Sequence, residues 1–201
     1  MASFNLLDKD WIPIVSKDGS TCEVSLLTLL SEAGTIRRIS GNPLEAATIL
    51  RLVLAAAHRV NSPEGEFDWA DLWKDRVSYL QAVSRYLEEQ RDLFDLYDET
   101  RPFGQTTAIA CGTTTPAVVV YEHAQGNNPV FFDHSVVSKP VPLPSSKAAR
   151  SLLVTHAYSG SGTGGNNPLN GNKKDQMLAG PLCARLIAVV EGSDLEQTIL
   201  L

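Results

Sequence analysis

Cysteine is scarce in this sequence. Cys22, Cys111 and Cys183 are its only thiols, odd in number and without a C-x-x-C spacing. That pattern supports neither a disulfide framework nor a thiolate zinc site, so the three read as reduced fillers of apolar space. Histidine is little commoner: His58, His123, His134 and His156 form no i, i+4 pair and no H-E-x-x-H pattern, which makes them structural rather than metal-ligating. No run of about 18 apolar residues exists to cross a bilayer, so no membrane partner is expected. The opening MASFNLLDKDWIP lacks the basic-then-apolar order of a secretory signal, and the expected location is the cytoplasm. Basic charge is also short, with 17 Lys and Arg against 23 Asp and Glu for a net charge of -6.

That overall deficit argues against a nucleic-acid partner, since phosphate binding draws on clustered cations. The distribution qualifies it. Residues 1–100 hold 17 acids and 10 bases, whereas residues 101–185 hold three acids, Glu122, Asp133 and Asp175, and seven bases. A local, non-acidic face of net charge +4 is compatible with DNA contact inside a larger assembly.

What is present is a globular composition, 43% hydrophobic and 20% charged over 201 residues, enough for one large domain or two small ones. Trp11 to Val15 and Thr21 to Ser25 read as two strands around an Asp18-Gly19 turn, with Pro13 favouring an edge position. Ser25 to Ala33 reads as a short helix stopped at Gly34, and Thr35 to Ile39 as extended. Asn42 followed by Pro43 opens the clearest helix, running to about His58 and apolar enough for burial on more than one side. Asp68 is expected to cap a short Trp69 to Trp73 helix, and Val77 to Gln90 is amphipathic.

From Asp92 an aromatic and acidic connector runs to Phe103. Pro116 to Tyr121 reads as a strand, 127–144 as a long functional loop, and Ser145 or Ser146 as the cap of a helix through Tyr158. Ser159 to Lys174, with five glycines and four asparagines, is a chain that holds no fixed shape cheaply without a partner. Leu182 to Val190 reads as a buried strand, and Gly192-Ser193-Asp194 as the turn and cap of a helix from Leu195. That helix is unfinished at Leu201, so continuation of the natural protein is expected. There are no internal repeats. The fold class is α/β (mixed α+β), irregular, with short strands, several helices and long loops.

The candidate chemistry concentrates in the glycine-rich stretch. Gly160 to Gly165 formally matches G-x-G-x-x-G, but in the dinucleotide fingerprint a strand precedes and a helix follows, whereas here a helix precedes and Asn166-Asn167-Pro168 follows. Gly171 to Lys174 misses the phosphate-loop spacing, so no cofactor is expected. Backbone-mediated nucleic-acid contact fits better. A chain without side chains can approach a narrow groove, and its N–H groups can donate to the groove floor or to phosphates. Gly160, Ser161, Gly162, Thr163, Gly164, Gly165, Asn166, Asn167, Lys173 and Lys174 are the candidate contacts. Catalysis finds little footing: Asp133-His134 and Glu122-His123 are adjacent in sequence, which on a strand points them to opposite faces, and Ser161 lies in no G-x-S-x-G elbow.

Three segments resemble a known family. Phe4 to Ile14, FNLLDKDWIPI, is similar to the FNLL-x-x-x-WIPV opening of the large subunit (CasA family) of type I-E CRISPR Cascade, and Val24 to Leu30 continues the match. Phe94 to Gln105 resembles its F-D-L-F-x-x-x-R-P-F-x-Q segment, and Gly126 to His134 its G-N-N-x-x-x-F-D-H loop. The order is collinear over nearly the whole chain.

The resemblance implies a non-catalytic subunit, here its N-terminal part over 1–201. It would read the protospacer-adjacent motif of target double-stranded DNA from the minor groove and aid duplex opening, while a CRISPR guide RNA reads the sequence. It implies Gly160 to Gly165 against the motif. It further implies Asn127, Asn128, Phe131, Phe132 and Asp133 as contacts to the guide RNA and to other Cascade subunits, and a recruited helicase-nuclease as a further partner. The family's groove-entering lysine, its wedge and its C-terminal helical bundle would lie beyond Leu201. A rival reading is a purely structural subunit that docks partners through the 127–144 loop and never touches DNA; a third is a nucleotide-dependent enzyme.

Overall fold

The computed structural model describes residues 3–107, 119–120, 142–167 and 173–201, and of 163–167 and 173–177 the backbone only. Strands β1 (Ile12–Ser16) and β2 (Thr21–Val24) form an antiparallel hairpin with Ile12 opposite Val24, closed where Gly19 takes a left-handed φ of 87°. Ser25 starts helix α1 (Leu26–Ser31), its hydroxyl accepting from the Thr28 N–H at 3.1 Å, which satisfies one of the free donors of the first turn. Strand β3 (Ile36–Ile39) then pairs with the other side of β1, giving the order β2-β1-β3.

That order corrects one expectation: β1 is the central strand, although it contains Pro13. The proline is tolerated because its rung with β3 is the last one. Its carbonyl accepts from Ser40 N at 2.8 Å, so the donor it lacks forfeits only the second bond of that outermost rung.

Helix α2 (Pro43–Val60) begins where Asn42 Oδ1 accepts from Leu44 N at 2.9 Å and Pro43 occupies the first turn. It buries Ile49, Leu50, Val53, Ala56 and Ala57 and packs on several neighbours, among them α4 (Arg76–Glu89) and α5 (Ser145–Tyr158). Helix α3 (Glu66–Lys74) starts at Gly65 rather than at Asp68, which sits inside the first turn with Oδ2 accepting from Glu64 N at 3.3 Å. Helix α5 starts at Pro144 without a side-chain cap, so Ser145 is its first helical residue.

The core lies between the small sheet and helices α1, α2 and α4. Leu6, Leu7, Trp11, Ile12, Leu29 and Ile49 are completely buried in it. The connector after α4 closes it from below: Leu6 N donates to Phe94 O at 2.9 Å and Leu96 N to Phe4 O at 3.0 Å, so the FNLL opening and the FDLY segment are hydrogen-bonded neighbours.

The C-proximal part differs more from expectation. The glycine-rich stretch holds an antiparallel hairpin of β4 (Gly162–Asn167) and β5 (Lys173–Met177). Leu182 to Val190 is not a buried strand. A turn at Pro181–Ala184, with Ala184 at φ 54°, leads into an irregular run in which Leu186 is fully exposed and Val190 is 63% exposed. Residues 185–191 make no main-chain hydrogen bond to another described residue. The run has a strand's composition and lies beside α2 and Thr198, but it pairs with no described strand.

Helix α6 (Leu195–Leu200) follows as expected, capped by Asp194, whose Oδ1 accepts from Gln197 N at 2.9 Å. Lys17 Nζ reaches Asp194 Oδ2 at 2.8 Å and ties this helix to the first hairpin. Cys22 is exposed, which corrects its reading as a filler of apolar space, and Cys183 is half-buried. Among the described residues no helix is long and apolar enough to cross a membrane.

Candidate nucleic-acid interface

The β4–β5 hairpin grows directly from the C-terminal end of α5, and both of its feet rest there. Gly180 N donates to Ser159 O at 2.8 Å, and Leu182 N donates to Ala157 O at 2.9 Å. The contact is tight enough to require glycine: a Cβ at Gly180 would stand 2.5 Å from the Ala157 carbonyl oxygen, well inside van der Waals contact.

On the other leg of the same base, where β4 begins opposite Met177, the need reverses. Gly160 and Gly162 are exposed, neither has a left-handed φ, and a Cβ built on either meets nothing within 4 Å. The fold therefore asks for no glycine at these two positions. What glycine does there is leave the backbone bare toward solvent, and an approaching groove or phosphate can then come within hydrogen-bond distance of the main chain.

The hairpin register gathers the candidates named from sequence. Gly162 lies opposite Met177 and Thr163 opposite Gln176. After a register shift spanning Gly164 and Gly165, Asn166 lies opposite Lys174 and Asn167 opposite Lys173. Gly160 and Ser161 form the exposed approach to β4. Ten candidate residues thus fall on one hairpin and its base, with both lysines near its far end. The helix-then-strand order also lacks the strand-then-helix geometry of a dinucleotide loop. Asn127, Asn128, Phe131, Phe132 and Asp133, together with the expected strand at Pro116 to Tyr121, lie outside the described residues except for Val119 and Val120.

Other chemistry is sparse among the described residues. No group of three or more His, Cys, Asp or Glu side chains is placed to hold a metal there. His58 Nδ1 stands 3.1 Å from Ser62 Oγ, and His156 Nε2 stands 2.7 Å from Gly104 O, where it links α5 to the connector.

Sequence reasoning missed the contacts that hold α5 in place. Lys147 and Arg150 reach the buried Glu45 of α2, and Arg150 also reaches Trp11 and Glu23. The partners lie more than 100 positions apart in sequence, so no local pattern announces them. A glutamate in a helix's first turn reads equally well as a solvated dipole partner.

Fold and site together describe a small α+β scaffold that presents a glycine-rich hairpin on a helical stem. The profile of the family described as CRISPR-associated protein Cse1 (CRISPR_cse1) matches residues 5–201. The chain is 33% identical over 207 aligned positions to CRISPR-associated protein CasA/Cse1 of Thermus thermophilus, covering all of this chain and 39% of that protein. The crystal structure of Thermobifida fusca Cse1 superposes with a TM-score of 0.79 at 28% identity, over 98% of this chain and 38% of that one. A chain of a CRISPR RNA-guided surveillance complex shares the fold, with a TM-score of 0.84 at 21% identity, over 100% of this chain and 43% of that one. This chain belongs to the Cse1 family of CRISPR-associated proteins. It spans about two-fifths of the length of the relatives it matches.

Proposed function

We propose that this chain is the N-terminal part of a Cse1-type large subunit. It would act as a non-catalytic, cytoplasmic component of an RNA-guided surveillance complex and read the protospacer-adjacent motif of target double-stranded DNA through the β4–β5 hairpin. The observation that carries this reading is the pair of exposed glycines, Gly160 and Gly162, whose missing side chains the fold does not require. A bare, exposed backbone where a hairpin begins suits the minor groove, where A·T and T·A pairs offer the same acceptors and a reader is accordingly sequence-tolerant. The lysines at 173 and 174 add cations in a molecule otherwise short of them, as phosphate contact requires.

In this proposal the guide RNA reads the target sequence, and the chain needs to recognise only the motif and help open the adjacent duplex. The segment holding Asn127, Asn128, Phe131, Phe132 and Asp133 meets the guide RNA and neighbouring subunits. The helicase-nuclease that degrades the target is recruited by the assembled complex, and a C-terminal helical bundle belongs to the remainder of the family's length.

Site-specific photocrosslinking tests the assignment. A photoreactive side chain at position 161, in the complex assembled with guide RNA, is expected to crosslink motif-bearing duplex DNA and to lose that crosslink when the motif is scrambled. Crosslinks to protein alone, with full DNA binding retained, would overturn DNA reading in favour of a subunit that only docks its partners.

A further inference from the structure

Helix α5 carries the hairpin on its last turn, but its first half is held by charge rather than by packing alone. Lys147 Nζ lies 2.6 Å from Glu45 Oε1, and Arg150 Nε lies 3.1 Å from Glu45 Oε2. The same guanidinium donates from Nη1 to the Trp11 carbonyl at 2.5 Å and to Glu23 Oε1 at 2.7 Å. Glu45 is only 6% exposed. One arginine thus joins the stem of the hairpin to the first turn of α2, to the residue that leads into β1, and to β2.

The arrangement is an expensive way to gain stability. Arg150 Nε is buried and, despite its proximity to Glu45, makes no aligned hydrogen bond. Buried ion pairs replaced by apolar side chains of similar size often leave a protein as stable or more so. What charge supplies and apolar packing does not is register, because a planar guanidinium satisfies its partners in few orientations. Buried Ala149 and Val154 and the His156 contact to Gly104 also hold α5. Among the described residues, though, only the charged cluster ties its first half to α2, β2 and Trp11 together, and a displacement there would be carried along the stem to the hairpin.

We propose that Glu45 and Arg150 are positioning residues, which fix the orientation of α5 on the core and thereby aim the β4–β5 hairpin. The consequence for DNA rests on the function proposed above; the positional claim does not.

The test uses the assembled complex, with native cysteines replaced by serine and nitroxide labels introduced by Glu89→Cys on α4 and Ser161→Cys at the hairpin base. Double electron–electron resonance reads the distance distribution between them. The wild-type pair is expected to give one narrow distribution. In Glu45→Met/Arg150→Met the distribution should at least double in width with the thermal midpoint unchanged or raised, and affinity for motif-bearing duplex should fall about tenfold, as loose support of a contact site predicts. Lys147, whose side chain is 26% exposed, can turn to water in that variant.

An unchanged width in a folded double variant would overturn the proposal. If the double variant fails to enter the complex, Arg150→Lys carries the test. It retains a cation for Glu45 but loses the planar fork to Trp11 and Glu23, and a wild-type width there would equally overturn it. Broadening without any loss of DNA affinity would leave the positional claim standing and count against DNA reading by the hairpin.

Discussion

The β1–β2 hairpin is closed by an exposed turn and anchored by buried side chains. Asp18 accepts from Ser20 N at 2.8 Å and from Ser20 Oγ at 2.7 Å, Gly19 takes the positive φ that the turn requires, and Ile12 and Ile14 bury their side chains beneath the sheet. In the β4–β5 hairpin Gly160 and Gly162, where the first strand begins, have open space around them, whereas Gly180, just after the second strand, is enforced by packing against α5. The first hairpin is built to make a core. The second is clamped to α5 on one leg of its base and left bare on the other. Glycine content alone does not separate the two cases; the surroundings of each missing Cβ do.

Three substitutions or titrations sharpen that contrast, from the largest effect to the smallest. Trp11→Ala removes a completely buried indole whose Nε1 donates to Leu6 O at 2.9 Å; loss of about 3–5 kcal/mol in denaturant unfolding is expected. Gly180→Ala drives a methyl against the Ala157 carbonyl and should cost about 1–3 kcal/mol, the ordinary range for overpacking. An unchanged midpoint would mean that the foot of the hairpin is not clamped.

The third concerns Asp194. Burial pushes its carboxyl up, but hydrogen bonds from Lys17, the Gln197 amide and Ser193, together with the Lys17 charge, outweigh burial and hold it below the usual aspartate value. A depressed folded value contributes stability that is complete above the unfolded value and is lost as pH falls through the folded one. Unfolding followed below about pH 5 should therefore show an acid-labile contribution that Asp194→Asn removes. Asparagine caps a helix about as well as aspartate, so the variant isolates the charge.

Local signals were legible in the sequence wherever a short-range interaction decides the structure. The Asp18-Gly19 turn, the Asn42-Pro43 helix start and the Asp194 turn each involve groups within four residues of one another, whereas Ser25 reads as a helix residue and proves to be its cap. Placement was not legible. Pro13 reads as an edge residue because its missing donor is a local fact, while its harmless place at the last rung depends on β3. Leu182 to Val190 reads as a buried strand from composition alone, and burial requires a neighbouring strand that composition does not contain. The candidate hairpin was legible as a glycine-rich chain but not as paired strands, since cross-strand register is set by β5 rather than by the glycines. The Glu45 and Arg150 contacts span most of the chain and left no pattern to read.

Whether Gly162 is glycine for a ligand or for the fold is decided most directly by Gly162→Trp. In the assembled complex the thermal midpoint is expected to stay within about 2 °C of wild type, since surface changes in open space cost little, while affinity for motif-bearing duplex DNA falls by about tenfold or more, as blocking a close groove contact would require. Wild-type DNA affinity in the folded variant would contradict DNA reading by the hairpin.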